Sequence, residues 1–389
     1  MPIALFALSL AAFSIGTTEF LIAGILPDLS ADFGVSIPTA GLLVTGYAVA
    51  VAIGGPILAI LTARLPRKPM LVALLAFFTL GQALCAVAPS YPLLMAARIL
   101  VAAAHGLMFG IGSIAAANLV APERRGTALS IFLGGVTVAM VVGMPGGTAI
   151  GNAIGWRAAF WGAAFLAAIS TLLVAWLVPP AQSRHEEGTS VRAEIAALNH
   201  QQVYLTYLLI ALIMVGALAF ETYLVPLLVQ ITGVAQEWTP LYLVLLGAGA
   251  VVGIYAGGRA ADWKLMPSLL AILGAQALIS VFMLLAVRNP VSMAICIFLQ
   301  GILAFAFNSP VQARILSAAH AAPNLASTLI STAFNVGIAL GAWAGALWID
   351  NGLGYGTLPV LGIIMSLAAA GVTAISWGLD GKVRQPAAV

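Results

Sequence analysis

The sequence predicts an all-α membrane protein of twelve transmembrane helices in two pseudo-symmetric six-helix bundles. Three observations carry this: composition, the lengths of the uncharged runs, and a repeat at one constant offset. Of 389 residues, 62% are hydrophobic and 7% charged, whereas soluble domains carry about 25% charged residues. The 15 Lys and Arg residues fall singly between apolar runs rather than on one face, so no nucleic acid partner is expected; the bilayer is. Cys85 and Cys296 lie inside separate apolar runs and show no ligand or disulfide spacing. No nucleotide loop or metal-ligand cluster is present, so neither a cofactor, a metal site nor an enzyme is expected.

Uncharged runs punctuated by Pro, Gly and single charges resolve into twelve spans. They are 3 to 27, 39 to 62, 69 to 88, 91 to 117, 126 to 151 and 157 to 178, then 203 to 229, 240 to 261, 266 to 286, 290 to 317, 325 to 348 and 356 to 379. The first run lacks a charged leader and a small-residue cleavage site, and reads as a helix rather than a signal peptide. The organisation expected is a bundle over 1–178, a solvated linker over 179–202, and a bundle over 203–389 ending in a short tail. The linker carries Arg184, His185, Glu186, Glu187, Arg192 and Glu194. Twelve of the 15 basic residues fall on one side of this arrangement, Arg98, Arg157 and Arg288 being the others. That asymmetry places both termini and the linker in the cytoplasm.

Sliding the second half back by 199 positions aligns Pro226 with Pro27, Gly233-Val234 with Gly34-Val35, Gly253 with Gly54, Gly345 with Gly146 and Gly354 with Gly155. A constant offset from the first span to the start of the sixth argues for two halves related by an axis along the membrane normal, with a site near the midplane.

Glu19 lies inside the first run, ~12 Å from Pro27 and ~24 Å from Ile3 at helical rise. An acid there is disfavoured by roughly 2.5 to 3.5 kcal/mol and normally marks an ion or substrate path. The alternative is a protonated Glu tied to a neighbouring helix. Arg98, in the fourth span ~10 Å below Tyr91, lies at nearly the same depth. Its guanidinium keeps its proton and needs an anion or a polar cavity. A close pair with Glu19 is expected, acting either as a proton switch or as a static structural pair. His105, two turns on, is a candidate proton relay or a packed histidine.

The loop Ala63-Arg64-Leu65-Pro66-Arg67-Lys68 resembles the Gly-x-Leu-Ala-Asp-Arg-x-Gly-Arg-Lys loop of the major facilitator superfamily with its acid missing, and Gly258-Arg259-Ala260-Ala261-Asp262 keeps the acid. Arg98 through Gly106 resembles the family's Arg-x-x-x-Gly motif, with Ala102 replacing the glycine. Gly143-Met144-Pro145-Gly146-Gly147 is similar to its antiporter pattern. Thr17-Thr18-Glu19-Phe20, Ala104-His105-Gly106 and Gly155-Trp156-Arg157 resemble the bacterial drug:proton antiporter group, including arabinose-efflux-like and multidrug-efflux-like permeases.

The resemblance implies the major facilitator fold, protons and a small molecule as partners, a monomer, and residence in the inner membrane. It implies a gating role for Arg64, Arg67, Lys68 and Asp262 as a cytoplasmic latch, against the alternative that these charges only set topology. Gly143, Pro145 and Gly147 would give a smooth, bendable helix face for gating or for packing alone. Glu221, five residues before Pro226, is a second acid at a depth ~4.5 Å from that of Glu19. Phe20, Tyr47, Tyr223, Gln300, Asn308 and Asn335 complete the candidate substrate set with the two acids, or else hydrogen-bond between helices. The function expected is proton-coupled export of a small amphipathic molecule, cationic drug-like ones included, by alternating access. The alternative is export of a sugar or nucleoside whose hydroxyls bond Glu221.

Overall fold

The computed structural model describes residues 1–62, 65–180, 201–318 and 323–383. Arg64, the linker residues 181–200 and Arg384 lie outside these. Helices follow one another as α1 (Ile3–Phe33), α2 (Ile37–Thr62), α3 (Arg67–Ala86), α4 (Tyr91–Asn118), α5 (Arg125–Val138), α6 (Met144–Ile154) and α7 (Trp156–Leu177). Then come α8 (Gln201–Glu221), α9 (Leu224–Leu227), α10 (Thr239–Ala286), α11 (Pro290–Ala306), α12 (Asn308–Ala318), α13 (Pro323–Asp350) and α14 (Pro359–Val383). Among the described residues, eleven continuous helical stretches are long and apolar enough to cross a bilayer. One of them contains α10, which turns sharply at Lys264 (φ −154°, ψ 99°) and so supplies two spans, giving twelve.

Proline shapes three of these helices differently. Within α1, Pro27 interrupts nothing: the helix runs on to Phe33, so Glu19 sits midway along 31 residues rather than eight from an end. Pro226 cannot donate to the Thr222 carbonyl, and the seventh span breaks there, α8 ending at Glu221 and α9 starting at Leu224. Pro145 likewise cannot donate to the Val141 carbonyl, and Ala139–Gly143 takes the wider π-helical winding between α5 and α6.

The described residues cluster as two compact units: Met1–His185 with Thr222–Gly247, and Glu186–Glu221 with Ala248–Val389. In the first, Leu5, Leu8, Ile15, Leu75, Phe78 and Phe132 anchor the buried core. In the second, Val203, Ile210, Leu269, Phe307, Val311 and Ile315 do so. Phe6, Leu80, Phe165 and Leu285 are exposed, as expected where lipid rather than water is the solvent.

The repeat reappears in the backbone. Gly34 (φ 63°) and Gly233 (φ 78°) end the first and seventh spans in left-handed conformation, and the following amides, Val35 and Val234, bond back to Ser30 and Leu228. Gly155 (φ 96°) and Gly354 (φ 76°) also share a positive φ. Each pair is separated by the same 199 positions, so the matched punctuation records matched chain turns.

Asp32, in the last turn, closes the end of α1. It accepts from Arg157 Nη1 at 2.7 Å and Trp156 Nε1 at 3.1 Å, while Arg157 Nη2 reaches the Ala88 carbonyl at 3.3 Å. The Trp-Arg start of α7 thus ties α1 to the connection between α3 and α4.

Candidate functional site

The site of the first unit is assembled on α1. Its register is set by the glycine face of the π segment and α6: a side chain at Gly143 would strike Thr17, and one at Gly147 would meet Leu21 at 2.5 Å. Small residues let the two backbones approach, which holds Thr18 and Glu19 against the neighbouring α4.

Arg98 of α4 is fully buried. Its Nη1 donates to the Thr18 carbonyl oxygen at 3.0 Å, and its guanidinium lies 4.2 Å from the centroid of the Tyr47 ring. Tyr47 Oη and His105 Nδ1 are 3.0 Å apart, and the His105 ring packs against Phe109 with centroids 4.9 Å apart. Arg98 Nε and Nη2 have no hydrogen-bond partner among the described residues. No ion pair within 4.0 Å joins Arg98 to Glu19. The close Glu19–Arg98 pair expected from the sequence is therefore replaced by a carbonyl one residue away and a π face. Glu19 and Phe20 are partly buried. Tyr223, on the Thr222–Gly247 segment, is fully buried beside Gly41 of α2.

In the second unit Glu221 is the last residue of α8, buried, its Oε1 without a hydrogen bond among the described residues. Gln300 Oε1 accepts from Gln276 Nε2 at 2.6 Å, both side chains buried. Asn335 Nδ2 donates to the Ser331 carbonyl at 3.0 Å while its Oδ1 lacks a partner among the described residues. Asn308 is partly buried at the start of α12. Gln276 was missed in the sequence reading; an amide in an otherwise apolar span was its signal.

Of the residues expected to gate, Arg67 and Asp262 are exposed and Lys68 partly buried, and no described residue forms an ion pair with any of the three. A polar joint of the second unit lies elsewhere. Arg314 grips Asp380 through Nη1 to Oδ2 at 2.7 Å and Nη2 to Oδ1 at 3.0 Å. Its Nη2 also reaches Gln202 at 2.8 Å and Ser376 at 2.9 Å. This joint binds α8, α12 and α14 together. In sequence Arg314 reads only as a topological charge.

Twelve apolar spans among the described residues, an acid and an arginine buried within them, and a twofold internal repeat define a multi-pass membrane transporter. The sequence profile of the Major Facilitator Superfamily matches residues 8–342, and the chain belongs to that family. It is 39% identical over 365 residues to the inner membrane transport protein YdhP of Escherichia coli strain K12, covering 93% of this chain and 92% of that one. It is 34% identical over 373 residues to the chloramphenicol resistance protein of Streptomyces lividans, covering 95% of each. In fold it resembles the crystal structure of a bacterial homologue of the human lysosomal transporter Spinster, in an inward-facing and unoccupied conformation. That match has a TM-score of 0.78 at 17% identity and covers 99% of this chain and 98% of that one.

Proposed function

We propose that the chain is a proton-coupled exporter of small amphipathic molecules, cationic drug-like ones included. It works by alternating access as a monomer in the inner membrane, with both termini and the linker in the cytoplasm. The observation that carries this reading is the engagement of Arg98 by the Thr18 carbonyl and the Tyr47 ring. A fixed positive charge stands near an intramembrane acid without being consumed by it. Any movement of α4 against α1 changes the distance from guanidinium to carboxyl, and with it the proton affinity of Glu19. Proton loading thereby becomes linked to conformation, which is what antiport requires.

Glu19 is the proton site in this reading, Arg98 its modulator, and the Tyr47–His105 pair the support that holds Arg98. Glu221 is a second acid, available to a cationic group or to a hydroxyl. The relative named for chloramphenicol resistance supports a drug-like substrate class. The test is proton release from purified protein when amphipathic cations or neutral compounds such as chloramphenicol are added, compared between the parent and Glu19→Gln. Release by the parent that vanishes in the variant supports the reading, and equal release from both refutes it.

A further inference from the structure

Three polar side chains from distant parts of the chain meet within the first unit, where α1 and α6 approach their ends. Asp28 follows Pro27 on α1, Asn152 is in the last turn of α6, and Gln236 opens a short turn three residues beyond the left-handed Gly233. Gln236 Nε2 donates to Asp28 Oδ1 at 3.1 Å and to Asn152 Oδ1 at 3.3 Å. In return Asn152 Nδ2 donates to the Gln236 carbonyl oxygen at 2.9 Å. One residue of the connection between the seventh and eighth spans is thus held by both its main chain and its side chain.

The same segment is attached at its two flanks by a different device. At its start the buried Tyr223 hydroxyl fits against Gly41 of α2, where any side chain would collide with it. At its end Gly247 lies so close to the π segment that an added Cβ would come within 2.7 Å of the Met140 carbonyl oxygen and the Val141 Cα. Both flanking contacts rely on small residues and close apposition. The polar cluster between them supplies directional bonds, and it contains no ion pair among the described residues. An uncharged amide gripping a carboxylate and a carboxamide fixes register, yet it can be broken without stranding a buried ion pair.

We propose that Gln236, with Asp28 and Asn152, is a clasp that closes the outer mouth of the transport path and opens once in every transport cycle. The inference rests on the alternating-access reading and on the orientation proposed above. Its test needs neither substrate nor proton gradient, so a failed clasp and failed coupling give different results.

Spin labels at the exposed positions Ser36 and Arg288 of the purified full-length protein report outer opening as a distance distribution. Asp28→Ala, which removes one hydrogen bond of ordinary net strength, should raise the open fraction about fivefold, and Gln236→Ala, which removes the bonds to both Asp28 and Asn152, should raise it at least as far. The double variant should go little further than Gln236→Ala, which already removes the bond to Asp28. Asp28→Asn, which keeps an acceptor oxygen, should stay near the parent. Distributions unchanged in both alanine variants overturn the proposal. Should the alanine variants fail to fold, Asp28→Cys with Gln236→Cys, in a chain whose buried Cys85 and Cys296 are replaced by Ala, carries the test. Bridging that pair with a short cleavable thiol reagent should abolish the open population, and cleavage should restore it. An open population that survives the bridge also overturns the proposal.

Discussion

Tyr47 and His105 share a 3.0 Å hydrogen bond, and that bond fixes the ring against which the Arg98 guanidinium rests. The basic residue of the site is therefore held by α2 and α4 as well as by the carbonyl of α1. Such an aromatic face favours a guanidinium, which is planar and stacks on it, over an ammonium, which is a compact point charge.

Tyr47→Phe keeps the ring and removes the hydroxyl, so a loss of about 1 kcal/mol in stability is expected, with transport retained. Tyr47→Leu removes the face as well, about 2 kcal/mol more for a desolvated cation–π contact, and should lower transport much further. Arg98→Lys should resemble Tyr47→Leu. Thermal unfolding and efflux rates of the three variants, measured side by side, check this ordering; equal behaviour of Tyr47→Phe and Tyr47→Leu contradicts it.

Gly143→Ala should destabilise the first unit by about 1–3 kcal/mol, because its new methyl strikes Thr17 across the α1 contact. Thr17 Oγ1 has no hydrogen-bond partner among the described residues, so Thr17→Ala alone should be nearly neutral. Combined with Gly143→Ala it should recover part of the loss. A double-mutant cycle on unfolding midpoints measures this coupling.

The spans and the repeat were legible because long uncharged runs and turn glycines are local signals, and Gly34 with Gly233 shows their backbone meaning. Proline was less informative. Pro27 and Pro226 occupy matching positions, but α1 continues through the first while the seventh span breaks before the second. The outcome depends on whether neighbouring groups satisfy the freed carbonyl, and those neighbours are distant in sequence. Arg98 was found from its burial inside a span, but its partner was misread. A main-chain carbonyl such as that of Thr18 leaves no trace in the residue pattern, whereas the acid next to it draws the eye.

Asp380→Asn should weaken the joint of α8, α12 and α14, since Arg314 would lose the charge of its two-point partner. The side chains are 11% and 33% exposed for Arg314 and Asp380. The expected cost, about 1–3 kcal/mol, lies between the values for surface and buried pairs. Chemical denaturation should show this loss concentrated in the second unit, and a loss insensitive to the position of the probe contradicts it.

Glu221→Gln separates substrate classes. A cationic substrate that uses the acid should bind at least tenfold more weakly to the variant. A neutral one loses at most about 1 kcal/mol of hydrogen bonding. Direct binding measurements with both compound classes decide which dependence holds; indifference to the change in both classes removes Glu221 from the site.

Glu19→Gln tests the coupling mechanism most directly, because glutamine keeps the shape and hydrogen bonding of the protonated acid but can neither bind nor release a proton. In vesicles with an imposed proton gradient, the variant should fail to concentrate substrate. Its binding of a neutral substrate should stay near the parent value and should not change with pH around neutrality. A variant that still concentrates substrate against its gradient, with the pH dependence of the parent, would show that Glu19 only joins helices and that protons are coupled elsewhere.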